Sequence, residues 1–125
     1  MKRLLDTSVL LAAIWKDHPH YATARAWLDG KTPILCPIAE LGFLRISTQP
    51  KAIGAPMATA RDLLHRFAVE RKAERIADDL APLDSHPTKS DQVTDTYLAD
   101  LAAKHGLKLG TLDAGIKHPA ADLVA

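Results

Sequence analysis

The chain has 125 residues, 47% of them apolar and 25% charged, and a formal net charge of +1. That length and balance predict one soluble domain over residues 1–125 with a core of its own, and exclude a disordered or fibrous chain. The near-neutral charge excludes binding to nucleic acid through a global positive field, and the single cysteine, Cys36, excludes an internal disulfide or a CxxC site.

Met1-Lys2-Arg3-Leu4-Leu5 opens the chain, but Asp6 interrupts the apolar run at once, unlike the core of a signal peptide. No stretch approaches the ~18 apolar residues of a membrane span, so a cytoplasmic setting is expected. Leu4-Leu5 reads as a short buried strand and Val9 to Ile14 as a helix. Tyr21, Ala24 and Leu28 recur at helical spacing within His18 to Asp29, and Gly30 is the natural stop. Pro33 to Pro37 encloses Ile34-Leu35-Cys36, a second strand. Helices are predicted from Ile38 to about Ser47 and from Pro56 to about Lys72, separated by a loop holding Pro50 and Gly54.

Ala73 to Ala77 reads as a third strand, Asp84 to Lys89 as loop, and Ser90 to His105 as a helix closed by Gly106. Leu107 to Leu112 and Asp122 to Val124 supply a fourth and a fifth strand. Strands alternating with helices predict an α/β fold with a mainly parallel sheet covered on both faces. Ligands of such sheets bind beyond the carboxyl ends of the strands.

Acidic residues fall where that rule points. Asp6 follows the first strand and Asp113 the fourth, with a helix cap as the rival reading of each. Glu40 lies between Phe43 and Leu44 on a helical wheel, where Ile38, Leu41 and Ile46 leave little face for water. A carboxylate so placed needs a cation, a hydrogen-bond network or an ion pair with Arg45 or another base. On the helix from Ser90, Asp95 and Asp100 border the apolar stripe from opposite sides, and pattern alone leaves them comparable. Arg61, His65 and Lys72, with Arg66 nearby, share one side of their predicted helix and read either as a solvated face or as local RNA contacts. Trp15, His18 and His20 allow a rim contact or plain turn and core packing. Leu10, Leu11 and Trp15 read as core or as contacts for a partner.

Four segments in this order resemble the PIN-domain family, especially its VapC-type toxins. They are Leu4-Leu5-Asp6-Thr7-Ser8; Ile38-Ala39-Glu40-Leu41 with Phe43-Leu44-Arg45-Ile46; Thr94-Asp95-Thr96-Tyr97-Leu98; and Gly106 to Asp113. The resemblance implies a three-layer domain with about five parallel strands, RNA cleavage with Mg²⁺ or Mn²⁺, a VapB-like antitoxin and a homodimer. It places the acidic quartet on Asp6, Glu40, Asp95 and Asp113, with Asp6, Asp95 and Asp113 nearest the metal, and so selects Asp95 over Asp100. Its supporting hydroxyls fall on Thr7 or Ser8 and on Thr111. One departure is the run Ala114-Gly115-Ile116-Lys117 after the last aspartate, where some relatives carry a further acid.

Oxygen donors of this kind suit Mg²⁺ or Mn²⁺ rather than structural zinc. A catalytically silent PIN-like module that binds RNA or a protein is the alternative. A haloacid-dehalogenase-like phosphatase fits poorly, because the acid it needs two residues after the first aspartate is Ser8 here.

Overall fold

A computed structural model describes residues 1–125. Its sheet has five strands, all parallel: β1 (Lys2–Leu5), β2 (Thr32–Leu35), β3 (Glu74–Arg75), β4 (Lys108–Thr111) and β5 (Ala121–Leu123), in the order β3-β2-β1-β4-β5. The helices are α1 (Thr7–Ile14), α2 (Tyr21–Leu28), α3 (Pro37–Thr48), α4 (Met57–Glu70) and α5 (Val93–Lys104). Right-handed crossovers put α1 to α4 on one face of the sheet and α5 on the other, giving the three layers that the resemblance implies. No helix is long and apolar enough to cross a membrane.

The central strands are buried on both faces, and their composition reflects it. Leu4, Leu5, Leu35 and Leu109 are wholly enclosed, under Val9 and Leu10 of α1, Phe43 of α3, Phe67 of α4, and Leu98 and Leu101 of α5. Ala12 and Ala13 of α1 are also enclosed, so α1 carries small side chains on buried positions. Gly110 of β4 is fitted to α2: a Cβ there would lie 2.5 Å from the Trp27 ring. The edge strands are short and charged, which discourages pairing with other chains. Glu74 of β3 pairs with Lys2 at 2.8 Å, and Asp122 of β5 with Arg3 at 2.7 Å.

Several sequence expectations change. The fourth helix ends at Glu70, so Lys72 is not on it. Lys72 takes a left-handed φ of 52°, while the Ala73 N–H reaches back to the Ala68 carbonyl at 2.9 Å. This is a helix-ending turn normally signalled by glycine. The third strand contracts from Ala73–Ala77 to two residues, and Ser90 to Gln92 form a 3-10 turn ahead of α5. Leu10 is enclosed, and Leu11 and Trp15 pack against the core, which settles them as core residues. Trp15 stacks near Phe43 and donates its indole N–H to Ser47 Oγ at 2.9 Å. His18 accepts the His20 amide at 3.0 Å within a turn.

Candidate acidic site at the carboxyl edge of the sheet

From β1 the chain turns toward β2, and from β4 it turns the other way toward β5, so the sheet's direction reverses between the adjacent strands β1 and β4. A crevice at such a reversal is the usual ligand position in this architecture. Asp6 and Asp113 lie immediately beyond these two strands.

Asp6 is 4% exposed and serves as the cap of α1, one of its two sequence readings. Its Oδ1 caps α1 by accepting the Val9 N–H at 3.1 Å and also accepts the Ser8 hydroxyl. Burial pushes its carboxyl above the ordinary value, while hydrogen bonds from Ser8 and Thr111 pull against that rise. Ser8 joins the two strand ends, since its Oγ accepts the Leu112 N–H at 3.3 Å while its hydroxyl serves Asp6. Thr111, 1% exposed, does the matching work from β4: its Oγ1 accepts the Asp113 N–H at 3.0 Å. Asp113 itself is exposed and folds back to accept the Gly115 N–H at 2.8 Å.

Asp95 enters from the first turn of α5. Its carboxyl is raised first by burial and then by the charges of Asp6, Asp113 and Asp91. Asp6, Asp95 and Asp113 therefore share one electrostatic neighbourhood, and Asp91 adds to it. Asp100 does not. It accepts the Ser85 hydroxyl at 2.9 Å and pairs with His118 Nε2 at 2.7 Å, while His118 Nδ1 takes the Ala120 N–H at 3.0 Å. That network separates the two aspartates that helical pattern left equivalent. A cleft of about 550 Å³ beside α5 is lined by Asp95, Thr96, Asp100, Lys117 and His118, among others.

Glu40 stands apart from this trio. It occupies the first turn of α3, just past β2, and its carboxylate is gripped by Arg75 at 3.0 Å (Nη2) and 3.2 Å (Nε). The sequence reading that Glu40 is balanced by a base is thus met by Arg75, not by the exposed Arg45. Nor is α3 closed to water, for Leu41 beside Glu40 is 64% exposed. Thr7 also leaves the site. Its hydroxyl donates to the Ala39 carbonyl at 3.1 Å and lies against Gly42, where a Cβ would be 2.4 Å away, so it braces α1 on α3. In this arrangement no three acidic, histidine or cysteine side chains converge closely enough to hold a metal ion.

Comparison with known proteins decides the family. Residues 3–122 match the model of the PIN domain. The chain belongs to the PIN-domain family. Its relatives are of the VapC type: it is 35% identical to ribonuclease VapC38 of Mycobacterium tuberculosis over 90% of this chain and 86% of that protein. It is 36% identical to ribonuclease VapC44 of the same species, over 93% and 89% of the two chains, and 32% identical to ribonuclease VapC29, over 94% and 90%.

The donors of this PIN domain fit a hard divalent cation by their chemistry, being carboxylate and hydroxyl oxygens at one strand edge. Asp95 fits it by its electrostatics, because the charges that raise its carboxyl are those of Asp6, Asp113 and Asp91. Cys36 is no competitor: it is buried, and its thiol is pushed up to about 12, mainly by burial.

The residue that sequence reasoning missed is Arg75. Its position in a predicted strand gave no hint, because the contact depends on β3 lying beside β2, where Arg75 is the register partner of Leu35.

Proposed function

We propose that this chain is one PIN-type nuclease domain that cleaves RNA internally with Mg²⁺ or Mn²⁺, acting in the cytoplasm as the toxin of a VapBC-type pair. The observation carrying this reading is the shared negative field of Asp6, Asp95 and Asp113 at the reversal between β1 and β4. Those three carboxylates would hold the cation. When bound, a divalent cation supplies an activated water, neutralises charge on the phosphodiester and stabilises the departing oxygen.

The chain's own residues prepare that chemistry. Ser8 holds the Asp6 carboxylate, and Ser8 and Thr111 hold the backbone that runs from β4 to Asp113, so these two acids are positioned from one edge. Asp95 is only part-buried, so it stays open to a ligand from solvent. Glu40 is the proposed proton acceptor for the attacking water, a role it takes only when its carboxylate is free of Arg75. Arg61 and His65 on α4 are proposed RNA contacts, and the exposed Lys72 is a weaker one from the turn that follows. A VapB-like antitoxin and a second copy of the chain are the proposed partners, following the likeness to VapC-type ribonucleases.

The test is direct. Purified protein, freed of antitoxin, is incubated with single-stranded, structured and total cellular RNA in Mg²⁺, Mn²⁺ or EDTA, beside folded Asp6→Asn and Asp95→Asn variants. Cation-dependent cleavage that both variants lose is the expected result. Tight RNA binding without turnover favours the silent binding module instead, a reading to which the engaged state of Glu40 lends some weight.

A further inference from the structure

The Arg75 guanidinium is 54% exposed, whereas the Glu40 side chain it holds is 18% exposed. The pair is forked: Nε lies 3.2 and 3.4 Å from the two carboxylate oxygens and Nη2 lies 3.0 Å from Oε1. Both nitrogens converge on Oε1 while Nε also reaches Oε2, and the same guanidinium edge matches a phosphate. Beside the pair is a hollow of about 150 Å³ lined by Arg61 and His65 of α4, Leu44 and Leu64, and Arg75 itself. No ion pair engages Arg61 or His65, and the nearest acid on α4, Asp62, is taken by Arg66 at 3.0 Å. Three nitrogen-rich side chains from β3 and α4 thus face one small hollow, and Glu40 is the only carboxylate bonded to any of them.

We infer that Arg75, Arg61 and His65 form a binding station for a backbone phosphate of the RNA strand, and that Glu40 occupies the Arg75 fork until a phosphate replaces it. The inference rests on the ribonuclease reading. It adds to it the point at which substrate is gripped away from the acidic trio, and links that grip to the release of Glu40. A phosphate oxygen pair satisfies the fork as Glu40 does, so the exchange leaves no donor unpaired. Glu40 is then left as a carboxylate without a counter-ion, at the same carboxyl edge as Asp6.

The experiment uses the full chain and a fluorescent single-stranded RNA oligonucleotide, with turnover stopped by Asp95→Asn and Mg²⁺ present throughout. Binding is followed by anisotropy over a range of salt concentrations for Arg75→Gln, Arg75→Lys and Arg61→Gln. Arg75→Gln is expected to weaken binding about tenfold and to flatten the salt dependence by about 0.7 in log–log slope, one phosphate contact on a single strand. Arg75→Lys should keep the slope but not the full affinity, because it preserves charge without the fork. Arg61→Gln, which removes no ion pair from the fold, should flatten the slope as well. Unchanged affinity and slope in Arg75→Gln and Arg61→Gln, while the protein without Asp95→Asn cleaves RNA, would overturn the station and leave the nuclease reading intact. A protein that neither binds nor cleaves any RNA would overturn both.

Discussion

Two acidic regions lie along the same edge of the sheet and manage their charge in opposite ways. At β1 and β4, Asp6 is buried and tied down by hydroxyls and amides, and Asp95 is raised by the charges of Asp6, Asp113 and Asp91. At β2 and β3, Glu40 has its own cation in Arg75, and the pair is half open to water. An internal cation makes a region self-sufficient, whereas repelling carboxylates held in place by neutral donors leave a deficit that something outside the chain must fill. On the proposed function, the first region is where the cation binds, and the second is a paired contact that exchanges only with an anion.

The comparison can be broken most severely at the site itself. Asp6→Asn should keep the helix cap, since asparagine caps as well as aspartate, yet reduce RNA cleavage by about 100-fold or more. Circular dichroism would verify the fold, and a gel assay would read the activity. Cleavage retained in a folded Asp6→Asn protein would move the chemistry elsewhere.

Next in size is the support beneath β4. Gly110→Ala places a methyl 2.5 Å from the Trp27 ring, with α2 and β4 both fixed by packing. A loss of about 1–3 kcal/mol in urea denaturation is expected. An undiminished midpoint would mean that Trp27 moves aside freely and that the strand carrying Thr111 and Asp113 is not held from behind.

A smaller effect should appear with pH. The Asp6 and Asp95 carboxyls are raised above the ordinary value of 3.8, so in the folded protein they keep their protons to higher pH than in the unfolded chain. The stability they contribute is complete below that value and is lost as pH climbs through their raised folded values. Metal-free protein should accordingly be less stable near neutrality than in mildly acidic buffer, and Asp95→Asn should lessen the decline. Matched chemical melts of the two proteins across that range would reveal it; parallel curves would contradict the shared field.

The smallest effect belongs to the second region. Arg75→Gln removes a pair that is only half open to water and should cost about 1 kcal/mol of stability. A much larger loss would show that Arg75 braces the fold rather than waiting for a ligand.

Much of the fold was legible because its signals are local. The apolar runs at Leu4-Leu5 and Ile34-Leu35, and the helix stops at Gly30 and Gly106, both at positive φ, fall where pattern predicts. The end of α4 was not legible, because its left-handed residue is Lys72 and not a glycine. At the site, Asp6 and Asp113 could be placed from their strands, but the choice of Asp95 came only from family resemblance. Its physical reason, the occupation of Asp100 by Ser85 and His118, joins residues far apart in sequence. The Arg75 contact was hidden for the same reason.

The central proposal is that the acidic region between β1 and β4 binds a divalent cation. Thermal melting of antitoxin-free protein during a Mn²⁺ titration at neutral pH tests it most directly, with Asp95→Asn in parallel. The account predicts a melting temperature that rises with Mn²⁺ until it levels off in the unaltered chain, and a much weaker rise in the variant. Identical melting with and without Mn²⁺ over a wide concentration range would contradict it.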